Sequence, residues 1–155
     1  DIIKSVKVLD TQGEARVLPK EELKMGYRTS IVKEKGYTVL SVELELTRGN
    51  QEEIRNTMED LKERRTSKQP LEMPSAGSTF KRPEGYFAGK LIMDSGLRGF
   101  SVGGAQVSEK HCGFVVNKGG ATAMDVLNLI REVQRRVKEQ FGVDLETEVR
   151  FLGEF

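Results

Sequence analysis

Ser75-Ala76-Gly77-Ser78-Thr79-Phe80-Lys81-Arg82-Pro83 is the stretch whose residue types could do chemistry. Its hydroxyls can orient an anionic, oxygen-rich ligand such as a carboxylate or a diphosphate, and the adjacent cations of Lys81 and Arg82 can attract it. An ordinary polar loop has the same composition, and both readings stand on the residues alone. A serine is a poor acid, so a proton donated from this stretch needs a strongly basic acceptor such as a carbanion or an enolate. His111 beside Cys112 raises a nucleophile pair or a metal site. Neighbouring strand residues point to opposite faces and the chain has no second histidine, so the structural reading is preferred and no metal is expected.

Other motifs fail on spacing. Residues 85–90, Gly-Tyr-Phe-Ala-Gly-Lys, are one residue short of a phosphate-binding loop and run into Leu91 instead of Ser or Thr. Gly96, Gly99, Gly103 and Gly104 miss the dinucleotide spacing and read as turn glycines. Gly119-Gly120-Ala121 precedes a helix start that could hold an anion, but Thr122 supplies that helix with its own cap.

These residues must be positioned by a mixture of strands and helices. Val6, Val8 and, after the turn Thr11-Gln12-Gly13, Val17 predict a β-hairpin facing a core. A helical turn is expected over residues 21–24, then a loop at Gly26-Tyr27-Arg28-Thr29-Ser30. From Tyr37 the alternation predicts a long half-buried strand, with Val39, Ser41, Glu43 and Glu45 on one face and Leu40, Val42, Leu44 and Leu46 on the other. Asn50 caps a helix with Ile54, Met58 and Leu61 at helical spacing and Arg64, Arg65 and Lys68 at its end. Residues 69–85 are rich in Pro, Gly and Ser and read as a loop. A short helix over 86–95 should bury Phe87, Leu91 and Ile92, and strands are expected at 100–107 and 113–116. Thr122 and Asp125 make a capping box for a helix with Val126, Leu129, Ile130, Val133, Val137 and Phe141 along one stripe, ended by Gly142. Residues 145–151 alternate as a last strand. Strands and helices without strict alternation give an α+β class.

Composition bounds the function. The chain has 155 residues with 25 Lys+Arg against 24 Asp+Glu, a formal net charge of +1. That balance argues against nucleic acid or an anionic membrane as main partner. Nor does any apolar run approach the ~18–20 residues of a membrane span. The basic cluster around Arg64 and Arg65 reads as a solvated face, since aromatic residues are only 6% and no stacking motif accompanies it. A single cysteine excludes an intrachain disulfide and fits a reducing, cytoplasmic setting.

Six ordered motifs then converge: Gly26-Tyr27-Arg28-Thr29-Ser30, residues 74–83, Ala88-Gly89-Lys90-Leu91-Ile92, Gly103-Gly104-Ala105, Phe114-Val115-Val116-Asn117 and Glu148-Val149-Arg150-Phe151. Together they resemble the UDP-N-acetylenolpyruvoylglucosamine reductases, flavoenzymes of peptidoglycan synthesis, along the whole chain. In that family NADPH reduces FAD, which passes hydride to the enolpyruvyl group of a UDP-sugar. The resemblance implies that Ser78 is a proton donor acting with Arg28 and Glu148 as the catalytic residues. It implies Tyr27, Lys81, Arg82 and His111 as substrate-binding and Arg150 as cofactor-binding. It further implies that this chain corresponds to the carboxyl-terminal half of the shorter family type. On that expectation residues 1–48, rejoined by 143–155 through a last strand returning to the first, end an FAD-binding domain, and 49–142 form the substrate domain. Expected partners are the UDP-sugar and the amino-terminal half that supplies most FAD contacts. The alternative is a non-catalytic nucleotide-sugar-binding module.

Overall fold

The computed structural model describes residues 2–154, and the chain divides into two compact units, residues 1–54 and 55–155. In the first, β1 (Ile3–Leu9) pairs antiparallel with β2 (Ala15–Pro19) on one side and β3 (Thr38–Leu44) on the other, giving the order β2-β1-β3. The expected hairpin forms, with Asp10 closing its turn by accepting hydrogen bonds from the N–H groups of Gln12 and Glu14, each at 2.9 Å. Its inner face differs from expectation. Val6 stands opposite Leu18 and Lys7 opposite Val17, so Leu18 shares the face of Val6 while Val17 points outward and is exposed. A 3-10 helix, Lys20–Leu23, buries Leu23 against Val6 and Val8. A short helix not expected from the pattern, α1 (Ile31–Lys35), ends at Gly36 in the left-handed conformation.

The long strand is present, but two expectations about it fail. Between Lys7 and Val8 the register slips, so that Val6 faces Val42 and Val8 faces Val39. The extra residue puts Val39 and Val42 on one face, where strict alternation would have opposed them. All of β3 is exposed, Leu40 and Leu44 included, in place of the half-burial expected. The same holds for α2 (Gln51–Lys68): Asn50 caps it, accepting from the N–H groups of Glu52 and Glu53, yet Ile54, Met58 and Leu61 stay exposed.

The second unit is built on an antiparallel sheet ordered β4-β7-β6-β5: β4 (Ser75–Ser78), β5 (Ser101–Val102), β6 (Ala105–Val107) and β7 (Phe114–Asn117). β4 lies inside the stretch expected to be a loop, and the strand expected over 100–107 is a hairpin folded at Gly103-Gly104. Two further helices pack on this unit, α3 (Ala88–Asp94) and α4 (Ala123–Phe141), with α4 against β5, β6 and α3. α3 buries Ala88, Leu91 and Ile92, but Phe87 precedes it and is exposed. α4 is as expected, with the reciprocal Thr122–Asp125 capping box, Leu129, Ile130, Val133 and Val137 in the core, and Gly142 as the left-handed cap.

The last strand is not formed. Residues 145–148 instead pair locally within the second unit, through an isolated bridge between Phe80 and Thr147 and a hydrogen bond from Lys81 N–H to the Glu146 carbonyl at 2.8 Å. Leu145 is buried in this unit's core and its carbonyl accepts from Gln134 Nε2 at 2.8 Å. Burial of Leu145 fixes the start of this segment in the core of the second unit, where local bridging takes the place of a regular strand.

Candidate functional site

Ser78 ends β4, exposed, one residue after Gly77, whose φ of +86° a side chain rarely tolerates. The next residue turns inward. Thr79 is buried, and its hydroxyl accepts a hydrogen bond from Val115 N–H at 2.9 Å while its own N–H donates to the Gly113 carbonyl at 2.9 Å. Its carbonyl accepts from Glu148 N–H, also at 2.9 Å. Two segments far apart in sequence are joined there, and the side chain of Glu148 is half-buried with Oε2 shut off from solvent. The structure therefore brings Ser78 and Glu148 to one edge of the second unit.

The cations of the 75–83 stretch have local partners. Lys81 is half-buried and forms an ion pair with Glu146. Arg82 lies with its guanidinium carbon 4.0 Å from the Phe87 ring centroid and donates from Nε to the Tyr86 carbonyl at 3.3 Å, a cation–π contact that keeps its charge on the surface. His111 and Cys112 lie in the turn before β7, not in a strand as expected, and they still separate: Cys112 is buried, whereas His111 is exposed. The His111 Nδ1 accepts from Gly113 N–H at 3.1 Å, and the ring stands edge-on to Phe114. Arg150 is exposed and lines a cleft of about 490 Å³ with Val149, Phe151, Ile130, Val126 and Pro74.

Tyr27 and Arg28 belong to the first unit. A tight turn is closed by reciprocal bonds between Gly26 and Thr29, at 3.0 and 3.4 Å, and it forces Arg28 to a φ of +58°. The Arg28 guanidinium lies 5.5 Å from the centroid of the exposed Tyr27 ring. No group of three or more His, Cys, Asp or Glu able to hold a metal occurs among the described residues, and no helix among them is long and apolar enough to cross a membrane.

Thr79 is the residue that sequence reasoning misplaced. It reads as one more ligand-facing hydroxyl of a polar loop, and the structure buries it. The signal was its position between Gly77-Ser78 and Phe80, where a β-branched residue with one polar atom suits a strand end that must fill space and satisfy a donor.

A family model described as UDP-N-acetylenolpyruvoylglucosamine reductase, C-terminal domain, matches residues 69–152. The UDP-N-acetylenolpyruvoylglucosamine reductase of Clostridium perfringens (strain SM101 / Type A) is 62% identical over 152 residues, covering 98% of this chain and 50% of that protein. The protein of the same name from Lachnoclostridium phytofermentans is 62% identical over 154 residues, covering 99% and 50%. The crystal structure of UDP-N-acetylenolpyruvylglucosamine reductase from Thermus caldophilus is similar with a TM-score of 0.80 at 40% identity, over 96% of this chain and 53% of that one. The chain spans about half the length of the curated relatives it matches.

Proposed function

Because the chain belongs to the UDP-N-acetylenolpyruvoylglucosamine reductase family, we propose that it supplies the substrate-binding half of an FAD-dependent, NADPH-using reductase of peptidoglycan synthesis. The reaction is the reduction of UDP-N-acetylglucosamine enolpyruvate to UDP-N-acetylmuramate. On this reading residues 1–48, rejoined by 143–155, end a flavin-binding domain and residues 49–142 are the substrate domain. The partner is the amino-terminal half that the longer relatives carry. Support comes from the apolar residues left exposed on β3, Leu40 and Leu44 among them, and on α2, Met58 and Leu61 among them, since exposed apolar side chains repeated along one element mark a face for further protein.

Bound FAD would supply the hydride for the terminal carbon of the enolpyruvyl group. Arg150, a guanidinium beside the apolar wall of Val149 and Phe151, has the donor chemistry to hold the acceptor-rich edge of a flavin. As negative charge grows on the substrate carboxylate, Arg28 stabilises it electrostatically. The Ser78 hydroxyl then protonates the adjacent carbon, and that enolate-like carbon is the strong base a serine acid requires. Glu148 orients or protonates the developing dienolate. Tyr27, Lys81, Arg82 and His111 contact the UDP-sugar.

The observation that carries this reading is the bond from Glu148 N–H to the Thr79 carbonyl, which joins the segment of one reacting side chain to the strand of the other. The test is Ser78→Ala in the enzyme completed with the amino-terminal half. Flavin reduction by NADPH should be unchanged, and flavin reoxidation by the enolpyruvyl substrate should fall by roughly 10²–10⁴-fold, the contribution expected of a general acid. Unchanged reoxidation would overturn the assignment of Ser78.

A further inference from the structure

We propose that Thr79 is a positioning residue, setting Ser78 relative to Glu148, and this rests on the reaction assigned above. Thr79 is 2% exposed, so its hydroxyl does not meet a ligand. What it meets is an irregularity in the sheet. Ser75 faces Val116 and Ser78 faces Phe114, so three steps along β4 answer two along β7. The extra residue lies in the stretch containing Gly77, and such a bulge deprives the ladder of a main-chain partner.

Val115 N–H, on a buried residue of β7, would be left unanswered at that point. The Thr79 hydroxyl takes it at 2.9 Å, substituting a side-chain oxygen for the missing carbonyl. The Thr79 main chain completes the clamp, donating to Gly113 on the β7 side and accepting from Glu148 on the other. One residue thus ties the strand end carrying Ser78 both to the sheet and to the segment carrying Glu148. A bulged strand end without this tie is free to shift, and a shift of about 1 Å in a reacting group costs on the order of 10²-fold in rate.

Valine has the shape of threonine without the acceptor oxygen, so Thr79→Val isolates the bond. In the enzyme completed with the amino-terminal half, Thr79→Val is expected to slow flavin reoxidation by the enolpyruvyl substrate by roughly 10–100-fold, within the range for a misplaced reacting group. Flavin reduction by NADPH in the same preparation should be unchanged, and Thr79→Ser, which keeps the oxygen, should restore most of the lost rate. A readout without catalysis is amide hydrogen exchange in the 155-residue chain: Thr79→Val should accelerate exchange at Val115 and Glu148 and leave the centre of α4 protected. Should the valine variant not fold, Thr79→Cys carries the test, since a thiol is a weak acceptor and an intermediate slowing is expected.

Reoxidation unchanged in Thr79→Val, while Ser78→Ala slows it as expected, would overturn the role of Thr79 and leave the reaction standing. Equal slowing of both half-reactions would also overturn it, as the signature of lost stability alone. If Ser78→Ala has no effect either, the assignment of Ser78 as proton donor falls and the positioning role falls with it, while the reaction stands.

Discussion

Arg28 combines a backbone under strain with a side chain assigned to the chemistry. Its φ of +58° lies where L-residues other than Gly, Asn and Asp are disfavoured by about 1–2 kcal/mol. Glycine would relieve that strain while gaining conformational freedom in the unfolded chain, and these effects oppose each other. Arg28→Gly is therefore expected to leave stability within about 1 kcal/mol of the parent in urea denaturation, yet to slow the substrate half-reaction severely, because the guanidinium is lost. A large loss of stability would mean that Arg28 is retained for the fold. Gly104 presents the opposite case, a position where any side chain collides. An added Cβ would lie 2.4 Å from the Ala121 nitrogen and 2.5 Å from the Gly119 carbonyl oxygen, both main-chain atoms that cannot swing away. Gly104→Ala is expected to destabilise by about 1–3 kcal/mol, the usual cost of overpacking, measured by the same urea titration.

α4 is the element on which the second unit is assembled, and its two faces contribute differently. Leu129 is fully buried in the core cluster, so Leu129→Ala should cost about 2–5 kcal/mol through lost transfer energy and the cavity left behind. On the outer face Glu132 accepts from Arg135 at 2.7 and 2.9 Å and from Arg136 at 2.6 Å. Those hydrogen bonds, from Arg135 first and Arg136 second, hold its carboxyl at about 2, below the ordinary value of 4.5. A carboxyl depressed on folding contributes stability that is fully present above its unfolded value and is lost as the pH falls through its folded value. The contribution of Glu132 should therefore fade between pH 4.5 and about 2. Comparing melting temperature against pH for the parent and Glu132→Gln checks this: the variant should lose part of the acid slope, and salt should narrow the difference because the network is at the surface.

At the scale of the whole molecule, the two units have unequal cores. The first buries Val6, Val8 and Leu23, while the second buries a cluster that draws on α3, α4, its sheet and Leu145. β3 and α2 meanwhile expose apolar side chains along their length. If the amino-terminal half of the longer relatives covers these residues and supplies most flavin contacts, the 155-residue chain mixed with FAD and freed of excess should remain colourless. Adding the amino-terminal half should then give a retained flavin spectrum and slow amide exchange in β3. Flavin retained by the chain alone would show that Arg150 and its neighbours suffice for a cofactor site.

Much of this was legible from the chain because it depends on neighbours in sequence. The Thr122–Asp125 cap, the stripe of α4 and the stop at Gly142 all follow from local periodicity and end chemistry. The ordered motifs that carry the family resemblance are likewise a property of the sequence alone. Tertiary structure decided what depends on partners distant along the chain. Alternation from Leu145 to Phe151 says only that a strand is possible, and it was the burial of Leu145 that directed this segment to the residues around Phe80. The periodicity of Ile54, Met58 and Leu61 specifies a face without specifying what covers it. Thr79 shows the limit most sharply: a hydroxyl in a polar stretch becomes a buried acceptor only when a bulge two residues earlier leaves a distant N–H without a main-chain partner, and that register is a property of the folded sheet.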